Sequence, residues 1–136
     1  MTTVFVSAVL AAACTLMAHG ALPDSHCTPG AVQSTDAKAI CMPGWASRHR
    51  HVTSSTRAEV YRRYGLTGSH PFPDWEVDHR VPLELGGSNA ISNLWPEHHP
   101  QTKDQLENKL HDETCSGQVK LARAQLIFEH DWRVYH

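Results

Sequence analysis

The stretch Glu76-Val77-Asp78-His79-Arg80-Val81-Pro82-Leu83-Glu84-Leu85-Gly86-Gly87, followed by Asn93-Leu94-Trp95-Pro96, decides how this chain is read. Val77, Val81, Leu83 and Leu85 alternate with Glu76, Asp78, Arg80 and Glu84, which predicts a strand over 75–85 with one apolar and one polar face. Pro82 has no N–H, so it bends the strand, ends it early, or confines it to an edge. Gly86-Gly87-Ser88-Asn89 is a strong turn signal. A second short strand is predicted over 91–95, closed by Pro96, and the two strands pair as a hairpin with a long loop.

Downstream, Thr102-Lys103-Asp104-Gln105 has the form of a capping box. The helix it opens carries Leu106 and Leu110 on one face and Lys103, Glu107 and His111 on another, and Ser116-Gly117 ends it. The second face reads as an ion-paired stripe in preference to a catalytic surface. A last helix is predicted over 119–131, with Leu121, Leu126, Ile127 and Trp132 turned inward. Upstream, Ser54 or Ser55 caps a helix over 57–64 whose apolar stripe is Val60, Tyr61 and Tyr64, with Gly65 as terminator. Residues 21–52 are punctuated by Pro23, Pro29-Gly30 and Pro43-Gly44 and read as an irregular arm. The expected fold class is α+β, in the order helix, strand, strand, helix, helix, with 53–136 as the folded domain.

The chain has 136 residues, a formal net charge of −2 and eleven histidines. A protein of this charge is not a basic nucleic-acid coat, so any polynucleotide contact needs a local patch. Arg48, His49, Arg50, His51, Arg57, Arg62 and Arg63 form the one basic stretch, which reads first as a solvated face and alternatively as a phosphate-contacting one. The first 20 residues lack Asp, Glu, Lys and Arg, and the run 4–17 is apolar or small. That pattern predicts a signal peptide over 1–20, cleaved near Gly20 or Ala21, and hence a secreted or periplasmic protein with no membrane attachment afterwards. Cleavage there leaves Cys27, Cys41 and Cys115, an odd number, so a disulfide is expected together with one free or intermolecular thiol.

A carboxylate beside a histidine sets a hard oxygen ligand next to a group able to take a proton from water. The spacing Asp78-His79-x-x-Pro82-Leu83-x-x-Gly86-Gly87, then Asn93-Leu94, resembles the HNH endonucleases of the ββα-metal group. Lys103-Asp104-x-Leu106-Glu107, Ala124-Gln125 and Asp131-Trp132 extend the likeness to a small secreted subgroup. The resemblance implies a hairpin-plus-helix core and a single divalent ion, Mg²⁺ foremost with Mn²⁺ or Zn²⁺ as alternatives. It further implies His79 as general base, Asp78 as metal ligand, and Asn93 as the residue that fastens the loop and helps hold His79. The third motif position has no direct counterpart. Counting from Asn93 reaches Gln101 or Thr102, and Gln101 and Glu107 are the candidate second ligands.

The substrate implied is DNA, with RNA as an alternative, and Arg48, Arg50, Arg62, Arg63 and Arg80 are the candidate phosphate contacts. Arg80 could instead pair with Glu84. Two other readings compete: an HNH fold that has lost catalysis and serves as a binding module, and a metal-binding protein using His98 and His99. Neighbouring strand residues point to opposite faces, so Asp78 and His79 share a site only where the strand twists or ends.

Overall fold

The computed structural model describes residues 1–5, 13–66, 74–98 and 101–135. The predicted hairpin is present but shifted toward its open end. Strand β1 (Trp75–His79) pairs antiparallel with β2 (Leu94–His98), with Glu76 opposite Glu97, Asp78 opposite Trp95, and His79 opposite Leu94. β1 stops at His79, not at residue 85. Beyond it the Asn93 side chain takes both the N–H and the C=O of Val81, and a 3-10 turn over Leu83–Leu85 follows. Val81, Leu83 and Leu85 are buried because this turn folds onto the core, so their alternation marks an inward-facing loop. Gly87 permits the reversal: a Cβ there would lie 1.8 Å from Val81 O.

β2 starts late, after a 3-10 turn over Ile91–Asn93, and runs through Pro96 instead of closing there. In a two-stranded sheet each strand has an unpaired edge, where a proline's missing N–H costs no ladder bond.

Among the described residues three α-helices precede the hairpin. α1 (Ala37–Ile40) and α2 (Trp45–His49) lie in the stretch expected to be irregular, and the Asp36 side chain caps α1 by accepting from Lys38 N. Backbone hydrogen bonds from Gly30 N to Ser92 O, from Ser88 N to Ala31 O and from Gln33 N to Gly86 O fasten this arm to the hairpin loop. Its Ile40 joins the common core. α3 (Ser54–Arg63) is capped by Thr53, one residue before the expected cap, and buries Val60.

α4 (Gln101–Cys115) begins before Thr102, which therefore lies inside the helix and is not its cap. α5 (Leu121–Glu129) leads into a 3-10 turn over Trp132–Val134. Its inward stripe is Leu121, Ala124, Gln125 and Phe128, at helical spacing, with Ile127 beside it. Leu126 is off that stripe and 45% exposed, contrary to expectation. The core gathers Ile40, Tyr64, Val81, Leu85, Trp95, Leu110, Phe128 and Trp132 from every part of the chain.

Two disulfides, Cys14–Cys27 and Cys41–Cys115, complete the fold and point to an oxidising, extracellular-type environment. With Cys14 in the chain, no cysteine among the described residues is unpaired. The count after residue 20 is odd because Cys14, the partner of Cys27, precedes it. No helix among the described residues is long and apolar enough to cross a membrane.

Candidate active site

His79 ends β1 with its side chain on the face opposite Asp78, as strand geometry requires. Because the strand ends there, both residues still border one cleft of about 310 Å³, whose rim includes Arg50, Glu84, Asp104, Glu107 and Asn108. His79 is almost fully buried, and its Nε2 lies 3.0 Å from Asn89 Oδ1. Burial lowers its pKa from the ordinary value of 6.5 and outweighs the opposing pull of Asn89 and Asp78, so the imidazole is held neutral.

On the other face of the hairpin, register places Glu76, Asp78 and Glu97 together, and their carboxylate oxygens lie within 4.8 Å of one another. α4 crosses this face and inserts Lys103, whose side chain is only 1% exposed. Its Nζ donates to Asp78 Oδ2 at 2.6 Å, to His79 O at 2.9 Å, and to Glu107 Oε1. The ammonium also sits 5.3 Å from the centroid of the Phe128 ring and 5.5 Å from that of Trp132.

The charges sort themselves around that cation. Burial works against ionisation of Asp78, but Lys103 and a hydrogen bond from Glu97 outweigh it, and the Asp78 carboxyl is held below its usual range. Burial and the Asp78 charge push Glu97 up to about 11, so it is protonated at neutral pH. Glu107 rises to about 8 through burial, with Asp78 competing for the same ammonium. Glu76, half-buried and beside Asp78, rises to about 6. Lys103 stays charged, because the surrounding carboxylates overcome the desolvation that would neutralise it.

The donor set fits a hard divalent ion. All its ligands are carboxylate oxygens, and Glu97 Oε2 is buried with no hydrogen-bond partner. Among the described residues, the other grouping with metal-ligand chemistry, Cys41, His111 and Cys115, has its two sulfurs joined as a disulfide.

Asn93, fully buried, accepts from Ala31 N and Val81 N through Oδ1 and donates to Val81 O and Ser88 O through Nδ2. It therefore ties both sides of the loop, but it makes no direct hydrogen bond to the His79 ring. Glu107 lies on the Asp78 side, bound to Lys103. Gln101 is the first residue of α4, and its side chain lies outside the described residues, as does His99.

Of the arginines, Arg50 is exposed on the cleft rim. Arg48, also exposed, donates to Pro43 O, and Arg62 is paired with Glu59 on the surface. Arg63 reaches the carbonyls of Ile91 and Cys27. Arg80 is a correction. It is 3% exposed and donates to Phe128 O, Glu129 O, Thr28 O and Ser25 Oγ, so it can meet neither a phosphate nor Glu84. Its bonds are those of an internal brace between β1, the arm and the end of α5.

The sequence reading passed over Glu76, Glu97 and Asn89. Glu97 could have been found by pairing it with Glu76 in a hairpin of the right register. Asn89 lies in a turn signal, where its residue type already had a sufficient explanation. A scan of protein-family models and searches of curated proteins and of solved structures found no match to this chain.

Proposed function

We propose that this chain is an exported, metal-dependent endonuclease of the HNH type, hydrolysing phosphodiester bonds of DNA, with RNA as the alternative polynucleotide. The observation that carries this reading is a cleft bordered by a neutral, buried histidine, by an arginine and by Asp78, whose carboxylate clusters with those of Glu76 and Glu97. A base, a site for a hard cation and a phosphate-binding cation are the groups such a hydrolysis needs. The two disulfides support export, and the leader over 1–20 belongs to the same proposal.

In the reaction, neutral His79 takes a proton from water as the water oxygen attacks phosphorus and the bond to the 3′ oxygen breaks. Asp78, with Glu76 and Glu97 beside it, would hold the divalent ion, Mg²⁺ foremost. When bound, that ion supplies positive charge to the phosphoryl oxygens and the leaving oxygen. Lys103 keeps Asp78 ionised and its carboxylate in place. Arg50 on the rim receives the polynucleotide backbone.

One observation favours the second reading, a binding module without catalysis: the Lys103 ammonium already occupies the carboxyls of Asp78 and Glu107, two of the candidate ligands. A supercoiled-plasmid nicking assay with Mg²⁺, Mn²⁺, Zn²⁺ or EDTA, run beside His79→Ala, separates the two. Nicking that needs metal and disappears in His79→Ala is expected of the nuclease. Folded protein that binds DNA and nicks it under no metal is the binding module.

A further inference from the structure

We propose that Asn89 is a positioning residue that selects the tautomer of His79, holding the proton on Nε2 and leaving Nδ1 as the basic atom; the inference rests on the reading of His79 as the base. The orientation of a carboxamide is decided by its partners. Asn89 Nδ2 lies 2.7 Å from His49 O, a carbonyl that can only accept. Asn89 Oδ1 lies 3.0 Å from His51 N, a backbone amide that can only donate. These two backbone groups leave the side chain a single orientation, with nitrogen toward residue 49 and oxygen toward residue 51.

The third partner is the His79 ring, whose Nε2 lies 3.0 Å from that same Oδ1. An amide oxygen has no proton to give, so Nε2 must carry one. A neutral imidazole has a single N–H, and its lone pair is therefore on Nδ1. Proton abstraction from water then forms the Nδ1–H bond, and the resulting imidazolium keeps its Nε2–H bond to Asn89.

The arm thereby becomes part of the catalytic apparatus. His49 and His51 flank the end of α2, where Trp45 stacks on the His49 ring with centroids 3.4 Å apart. Trp45 Nε1 also donates to Leu83 O at 3.2 Å, docking α2 on the turn that follows β1. A segment remote from the motif in sequence thus holds the residue that sets the protonation site of the base.

The test is ¹⁵N NMR of the imidazole nitrogens in the full-length protein, with the His79 signals assigned by their loss in His79→Gln. Wild type is expected to show the Nε2–H tautomer in its neutral form. Asn89→Ala should shift His79 toward a tautomer mixture and lower metal-dependent nicking at least tenfold. Asn89→Asp keeps the oxygen that accepts from Nε2 but loses the donor to His49 O, so it should retain the Nε2–H tautomer and recover only part of the lost activity. An Nδ1–H tautomer in wild type, or an unchanged tautomer in folded Asn89→Ala, overturns the inference. Should Asn89→Ala fail to fold, the wild-type and Asn89→Asp spectra decide, since loss of Nε2–H in the aspartate variant also overturns it. The expected tautomers in a protein that nicks DNA under no metal would support the role of Asn89 while rejecting the nuclease reading.

Discussion

The Nζ of Lys103 lies 2.6 Å from Asp78 Oδ2 in the interior of the molecule, joining the middle of the candidate motif to the helix that crosses it. A buried pair of this kind is held by its partners, and removing one of them strands the other charge. Lys103→Met should therefore destabilise the protein by about 3 to 5 kcal/mol in EDTA. Added Mg²⁺ or Mn²⁺ should restore part of that loss, because the carboxylates then have a replacement cation. Thermal melts with and without metal measure both effects, and a variant whose melting is indifferent to metal would argue against a cation site at this cluster.

Asn93 is expected to act on stability before it acts on chemistry. Its side chain makes four hydrogen bonds to backbone groups in a buried setting. Asn93→Ala leaves those groups without partners and should cost about 3 to 5 kcal/mol in urea unfolding. A loss of nicking without a loss of stability would instead assign it a part in the reaction.

Arg50 and Arg80 should separate cleanly. Arg50→Ala removes one cation from the rim and should flatten the dependence of log affinity on log salt by about one unit. Arg80→Lys should leave that slope unchanged and lower stability by about 1 to 3 kcal/mol, since an ammonium cannot reproduce a guanidinium fork serving several carbonyls. Fluorescence anisotropy on a labelled duplex across a salt series, with denaturant titrations alongside, gives both readings.

Under the proposed function, the pH profile of nicking should report His79. Burial lowers its pKa in the folded protein, so the neutral base persists below the ordinary value of 6.5. The acid limb of the rate profile should have its midpoint below that value. For stability the sign is the same: in the window between the folded and unfolded pKa the unfolded chain binds the extra proton. The His79 contribution is thus full above the unfolded pKa and is lost as pH falls through the folded one. His79→Gln should remove that part of the pH dependence of unfolding.

The Cys14–Cys27 disulfide closes a separation of 13 residues, and Cys14→Ser should cost about 3 kcal/mol. Processing after Gly20 would remove Cys14 and leave Cys27 unpaired. Intact mass of the exported protein, before and after alkylation, should show a mature chain that lacks Cys14 and carries one alkylatable thiol; a chain that retains Cys14 with none would reject the leader over 1–20.

The sequence by itself determined the elements whose signals are local. The helix expected over 57–64 and found over 54–63, the hairpin, the helix ended by Gly117 and the α+β class follow from side-chain period and from the residues that punctuate it. The Asp78-His79 pair stood out at this level as a base beside a hard ligand. Tertiary structure decided the rest, because those features depend on partners distant in the chain. The alternation over 75–85 could not distinguish a long strand from a short strand and an inward-facing turn; Asn93, bonding Val81 from 12 residues away, made that choice. Arg80 looked like a phosphate contact until the carbonyls at the end of α5, 48 residues on, claimed its donors. Lys103 became the internal cation only when α4 was laid across the hairpin, and Asn89 met His79 only when the arm held it there. Local propensity sees a few neighbouring residues, whereas the charge, proton position and access of a buried group are set by whatever the folded chain places within a few ångströms of it.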